Sequence, residues 1–155
     1  MRIHIGGDHA AYDMQRYLVV WLAEQGHEVI DHGPVENDPA DDYPVFVLRA
    51  AEGVAGDPGS LGIVLGGSGN GEQMAANKVA GIRAGLAYTP ELARLTREHN
   101  DARVLSLGAR FHSLEEGRAI VEAFVGTSFS GEPRHQRRID MMSAYEADGT
   151  LPPMP

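Results

Sequence analysis

"VLGGSGNGEQMAANK", residues 64–78, ends an apolar run on Gly66 and Gly67, sets Ser68 and Asn70 among further glycines at 69 and 71, and resumes as a helical stretch with Glu72 at its mouth. The apolar lead-in from Leu61 is short and continuous, the pattern of a strand buried on both faces. Such a strand, passing through glycines into a helix, is half of a strand–helix–strand unit in a parallel sheet. A tight turn needs one or two glycines. Four between positions 66 and 71 let the backbone take positive φ and let another group approach it closely. Successive N–H groups at a helix mouth also attract negative charge. The loop is not a P-loop, since no Gly-Lys-Ser/Thr ending follows, and its spacing is not GxGxxG.

The same grammar repeats on both sides. "RIHI" reads as a strand closed by Gly6 and Gly7, and Ala11, Met14, Leu18, Trp21 and Leu22 recur at helical spacing between Ala10 and Gln25. "HEVIDHG" is a second strand, followed by the acidic loop "NDPADD" and a helix from about Pro44 to Ala55. Beyond the glycine loop come a helix from about Glu72, the strand "IRAGLAY", a helix from Pro90 to about His99 and the strand "RVLSLGA". Helices over Leu114–Val125 and from Arg134 to about Ala147 close the pattern. This alternation predicts an α/β fold, a doubly wound parallel sheet covered on both faces and so three-layered. One domain is expected over residues 1–148, with 149–155, "GTLPPMP", an irregular tail. Val19 and Val20 widen the apolar surface of the first helix beyond the ~100° stripe that covering a sheet requires, which suits either a deeply packed helix or a subunit interface.

Composition narrows the function. A net charge of −9 on 155 residues gives no electrostatic footprint for nucleic acid or an anionic membrane, so small molecules are the expected partners. The absence of cysteine excludes disulfides, thiolate metal sites and a cysteine base. With neither a basic-then-apolar leader nor an apolar run of ~20 residues, a cytoplasmic protein is expected.

In parallel sheets ligands bind beyond the carboxyl ends of strands, so loops there hold the candidates. Asp8 and His9 follow the first strand; Asp8 is either a helix N-cap or a functional acid. His99 shares a helical stripe with Leu92 and Leu95 and precedes Asn100; it is either a partner of the helix C-terminal dipole or a group facing a cleft. Arg110 follows the last strand. Arg134 and Arg138 are four apart on one helix face, with Met141 and Tyr145 extending the stripe, so the two guanidiniums are expected to border a partly buried surface. They form either a solvated basic patch or a grip on a phosphate. The acidic loop residues Glu36, Asp38, Asp41 and Asp42 would suggest a metal only beside histidines, and the loop contains none. Metal-dependent phosphate hydrolysis using Asp8, His9 and His112 is disfavoured by the lack of a recognisable ligand spacing.

One reaction class uses all of these parts: proton transfer beside the carbonyl of a phosphorylated sugar. Glu72 would move the proton between neighbouring carbons, Ser68 and the amides of residues 69–71 would hold the enediolate oxygen, and the arginines would anchor the distant phosphate. A carboxylate at its reference pKa of ~4.3 is a weak base for this. The helix mouth would stabilise the anion by about 0.3–1 kcal/mol, so only burial can raise its basicity. A protein that binds the sugar phosphate without chemistry, as a sensor, and an isomerase of a six-carbon sugar 6-phosphate are the alternatives.

"GGDHAAY", "DYP", "GIVLGGSGNGEQMAANKVAGIRA", "REHNDARVLSLGAR" and "RHQRRID" together resemble the type B ribose-5-phosphate isomerases, the family that also contains galactose-6-phosphate isomerase subunits. The resemblance spans all but the C-terminal tail. It implies a Rossmann-like homodimer or tetramer with active sites shared between chains, no metal or organic cofactor, and interconversion of D-ribose 5-phosphate and D-ribulose 5-phosphate in the pentose phosphate pathway. By position it implies that Asp8 and His99 assist ring opening and that His9, Arg110, Arg134 and Arg138 hold the phosphate. Tyr43 would line the cleft, and Asn100 would join Ser68 and the Gly67, Gly69 and Gly71 loop around the enediolate. Many members of the family place a cysteine base where this chain has Gly66, so the resemblance is to the subgroup whose base is the glutamate closing the loop, Glu72.

Overall fold

A computed structural model describes residues 1–154; Pro155 lies outside the described residues. The chain runs β1 (Arg2–Gly7), a short 3-10 turn (His9–Ala11), α1 (Tyr12–Glu24), β2 (Glu28–Asp31), α2 (Pro44–Gly56), β3 (Leu61–Gly66) and α3 (Asn70–Ala76). It continues as β4 (Ala84–Leu86), α4 (Pro90–Asn100), β5 (Val104–Gly108), a second 3-10 turn (Ala109–Phe111), α5 (Leu114–Val125) and α6 (Pro133–Asp148). The five strands form one parallel sheet in the order β2-β1-β3-β5-β4. This is the Rossmann-like three-layer arrangement that the alternating pattern predicts.

Strand alternation divides the core in two. Ile3, Ile5, Ile63, Leu65, Leu105 and Leu107 face α1 and α5, where Leu18, Leu22, Ile120 and Phe124 meet them. Val64 and Val104 face α2 and α3, against Val47, Ala51, Val54 and Ala76. Burying one such aliphatic side chain contributes about 1.5–3 kcal/mol, so both faces are fixed strongly and the register with them. Helix starts follow local chemistry: the Thr89 side chain accepts from the Leu92 N–H, and Ser113 with Glu116 forms a capping box.

Two expected faces differ from observation. Leu92 is exposed, His99 is half-buried and Asn100 is exposed, because α4 turns Ala93 inward rather than the Leu92–His99 stripe. On α6 only His135 and Ile139 are buried, and Arg134, Arg138, Met141 and Tyr145 stand exposed. That helix packs against α4 instead of lying across the sheet, so its covered stripe is narrow. On α1, Val19 packs at the edge of the core while Val20 stays exposed.

The order of strands places a switch point between β1 and β3. From β1 the chain crosses outward to β2, then returns over the opposite face to β3, so the loops leaving β1 and β3 diverge and open a crevice.

Candidate active site

That crevice is a cleft of about 490 Å³, lined by Asp8, His9, Tyr43, Gly67, Ser68, Gly71, Glu72 and Arg110, together with Ala10 and Phe111. Eight residues singled out from the sequence therefore meet in one place. Gly69 closes the back of the loop at φ +81°, where a Cβ would lie 2.7 Å from Leu86 Cδ1 and 3.0 Å from the Leu107 carbonyl carbon. Only glycine fits that combination of backbone and space.

Glu72 is 4% exposed in the first turn of α3. Burial pushes its carboxyl above the ordinary value, and the nearby Asp8 carboxylate adds to the rise; hydrogen bonds from the Glu72 and Gly69 N–H groups pull it down by less. Its position explains Gly66. A Cβ there would lie 1.8 Å from Glu72 Oε1 and 2.2 Å from its Cδ, so the carboxyl group fills the space that any side chain at 66 would need. Tyr43 packs as tightly on Gly71, whose Cβ would come 2.7 Å from the phenol oxygen.

Asp8 takes both of its alternative parts at once. Its Oδ1 accepts from the Ala10 N–H at 3.0 Å, and its carboxyl stands in the cleft at 8% exposure. Burial raises its pKa, opposed first by His9 and by the Ala10 hydrogen bond. The His9 ring is held from behind, since its Nδ1 lies 2.6 Å from Asp41 Oδ1, which also accepts the His9 backbone N–H at 3.1 Å. Nε2 is the ring's remaining nitrogen. Across the cleft the Arg110 guanidinium overlies Gly67, and the Arg110 N–H donates to the Gly67 carbonyl at 3.1 Å.

The acidic loop thus reaches a histidine after all, one supplied by the 3-10 turn that follows β1. Ligand atoms of Asp8, His9 and Asp41 lie within 4.8 Å of one another. Asp41 Oδ1 already takes two hydrogen bonds from His9, the geometry of a carboxylate orienting an imidazole. His112 stands apart from this group, its ring nitrogens 2.7 Å and 3.0 Å from the carbonyl oxygens of Gly108 and Tyr88.

The remaining candidates lie elsewhere. His99 and Asn100 end α4, and Arg134 and Arg138 lie on α6; none lines the cleft. The His99 ring packs against that of His135, tilted by 40° with centroids 4.3 Å apart, and Arg134 pairs with Glu132 at 3.0 Å. Sequence reasoning passed over Phe111 and Tyr88, and weighed Asp41 only as a metal ligand and not as the partner of His9. Tyr88 follows β4, and its hydroxyl donates to the Ser68 carbonyl at 2.5 Å; applying the strand-end rule to every strand would have found it.

Known proteins resemble this chain in sequence and in fold. The family model described as Ribose/Galactose Isomerase matches residues 3–142. Ribose-5-phosphate isomerase B of Mycobacterium tuberculosis is 51% identical over 155 residues, covering 100% of this chain and 96% of that one. Ribose-5-phosphate isomerase B of Clostridium thermocellum superposes with a TM-score of 0.90 at 40% identity, over 97% of this chain and 100% of that one. The Mycoplasma genitalium enzyme, solved with bound ribulose-5-phosphate, has a TM-score of 0.91 at 38% identity, over 95% and 97% of the two chains.

Proposed function

The chain belongs to the ribose/galactose isomerase family, and we propose that it interconverts D-ribose 5-phosphate and D-ribulose 5-phosphate through an enediolate. The observation that carries this is the Glu72 carboxyl, 4% exposed and seated against Gly66 at the end of the glycine loop, in the cleft that the loop lines. A buried carboxylate beside preorganised N–H donors suits removal of a proton from carbon, because burial raises the base and the donors take up the charge that appears on oxygen.

The steps divide among the residues. Asp8 and His99 move the protons of ring opening, one leaving the anomeric hydroxyl and one reaching the ring oxygen. Glu72 then takes the proton from C2 of the open aldose and returns it to C1, while a proton passes from O2 to O1. Ser68, Asn100 and the loop amides hold the enediolate between these transfers. His9, Arg110, Arg134 and Arg138 grip the phosphate, with Tyr43 along the wall.

His99, Asn100, Arg134 and Arg138 lie outside this chain's own cleft, and the reading therefore includes a second copy that supplies them. A homodimer with two shared sites satisfies every assignment, and the exposed α4 and α6 faces are the surfaces available for it. Among the described residues no helix is long and apolar enough to cross a membrane.

The test is turnover of ribose 5-phosphate by the purified chain in heavy water. An isomerase incorporates deuterium at the carbon that receives the proton; a protein that only binds the sugar phosphate incorporates none, and that outcome removes the proposal.

A further inference from the structure

Three consecutive carbonyls of the glycine loop are tied to β5 and to the segments that follow β4 and β5. Gly67 O accepts from the Arg110 N–H at 3.1 Å, Ser68 O from the Tyr88 hydroxyl at 2.5 Å, and Gly69 O from the Ser106 hydroxyl at 2.7 Å as well as from the Gln73 N–H at 2.9 Å. The loop peptides are trans, and a trans peptide sets its C=O and the following N–H on opposite sides. Each tether therefore aims one N–H away from β4 and β5: those of Ser68, Gly69 and Asn70, the last of which donates to Ser68 Oγ at 3.3 Å. The Glu72 carboxyl lies against Gly66 on the cleft side of the loop.

The tethers are built to stay. Ser106 is fully buried in the middle strand pair, and a Cβ on Gly108 would lie 2.6 Å from Ser68 O, so the loop's carbonyl side rests directly on the end of β5. Tyr88 is braced in turn: His112 spans its carbonyl and that of Gly108, and Phe111 meets its ring edge-on at 5.5 Å between centroids. Without the phenol, Ser68 O would keep no side-chain donor, and its peptide could rotate.

The geometry points to Tyr88, with Ser106 behind it, as positioning residues for the isomerisation: their hydroxyls hold the loop carbonyls back so that the loop amides face the developing enediolate. Neither side chain lines the cleft, so both act through the backbone. This rests on the proposed function, because it assigns the loop amides to the enediolate oxygen.

Tyr88→Phe removes the hydroxyl and keeps the ring against His112 and Phe111. Losing one oxyanion donor outright costs about 10²–10³ in kcat. A donor left in place but poorly aimed should cost about tenfold in kcat, with KM for ribose 5-phosphate changed less than about twofold. Ser106→Ala should cost about threefold, since the Gln73 N–H still holds Gly69 O. Binding of a phosphorylated sugar hydroxamate, which mimics the enediolate, should weaken by the same factor as kcat in Tyr88→Phe, while inhibition by inorganic phosphate stays unchanged. Wild-type kcat in Tyr88→Phe overturns the inference, and so does an equal loss of affinity for hydroxamate and phosphate, which would report general loosening. A wild-type chain that neither turns over the sugar phosphate nor binds the hydroxamate overturns the proposed function itself, a result distinct from either.

Discussion

Glu72, in the cleft between β1 and β3, is 4% exposed, whereas Met141 and Tyr145, beside the arginines of α6, are 39% and 57% exposed. Both regions carry groups assigned to one reaction, yet one is finished within the chain and the other stands open. The chemistry of the groups accounts for the difference. A carboxylate becomes a useful base only when water is removed from it, so Glu72 and Asp8 need a packed setting from the moment the chain folds. A guanidinium stays charged in any setting and grips a phosphate by its fixed fork, so in the proposed dimer Arg134 and Arg138 need no burial within their own chain.

Glu72→Gln breaks the finished half and should have the largest effect. It keeps shape and removes basicity, so kcat should fall about 10²–10⁴-fold, read by steady-state turnover. Co-expression with an Arg134→Ala/Arg138→Ala chain then probes the division directly. If sites are shared between two chains, random pairing makes half the dimers mixed, and each mixed dimer carries one intact site; roughly a quarter of wild-type turnover should return. No recovery would place all the groups of a site in one chain. The sign of the pH dependence follows from burial. Glu72 is raised above its ordinary 4.5, so activity is lost as pH falls through the raised value. The folded state holds that proton more tightly than the unfolded chain does, so the contribution to stability is full below 4.5 and is lost as pH rises through the raised value. Glu72→Gln, which cannot ionise, should therefore melt at a higher temperature than wild type above that pH and converge with it in acid.

Gly66→Ala sharpens the same half without touching the base. Its Cβ would lie 1.8 Å from Glu72 Oε1, so the carboxyl must move. A displacement of about 1 Å can cost about 10²-fold, measurable as a lower kcat. A crystal structure of the variant with Glu72 unmoved would refute the steric account.

On the open half, Arg138→Ala should act on substrate binding. A hydrogen bond to a charged group contributes about 1.5–3 kcal/mol, which is a KM raised about 10- to 150-fold, with kcat changed only a few-fold. An unchanged KM would remove Arg138 from the phosphate and leave α6 as a solvated surface.

The two halves were also unequally legible. The strands could be read because β3 and β5 are buried on both faces and so are apolar but for Ser106, and the glycine ends of β1, β3 and β5 marked where the loops meet. Asp8, Ser68, Glu72 and Arg110 were found by that rule and line the cleft together. The faces of α4 and α6 were misread. Periodicity reports which residues are apolar, and it cannot say that Met141 and Tyr145 are left open because α6 lies against a helix and not across the sheet. Asp41 could be seen as an acid but not as a partner of His9, because the two are 32 positions apart and only the connection from β2 to α2 brings them together.

Asp41→Asn should have the smallest effect and bears on the cleft from outside its assigned set. Asp41 touches His9 through both the ring and the backbone N–H, so an amide can still accept one of these bonds while losing the charge that orients the ring. The net loss should be about 1 kcal/mol, a KM raised about fivefold with kcat nearly unchanged, and inhibition by inorganic phosphate should weaken in step. Should Asp41→Asn instead lower kcat and leave phosphate binding untouched, His9 would belong with Asp8 in moving protons, and Arg110 would be left as this chain's own hold on the phosphate.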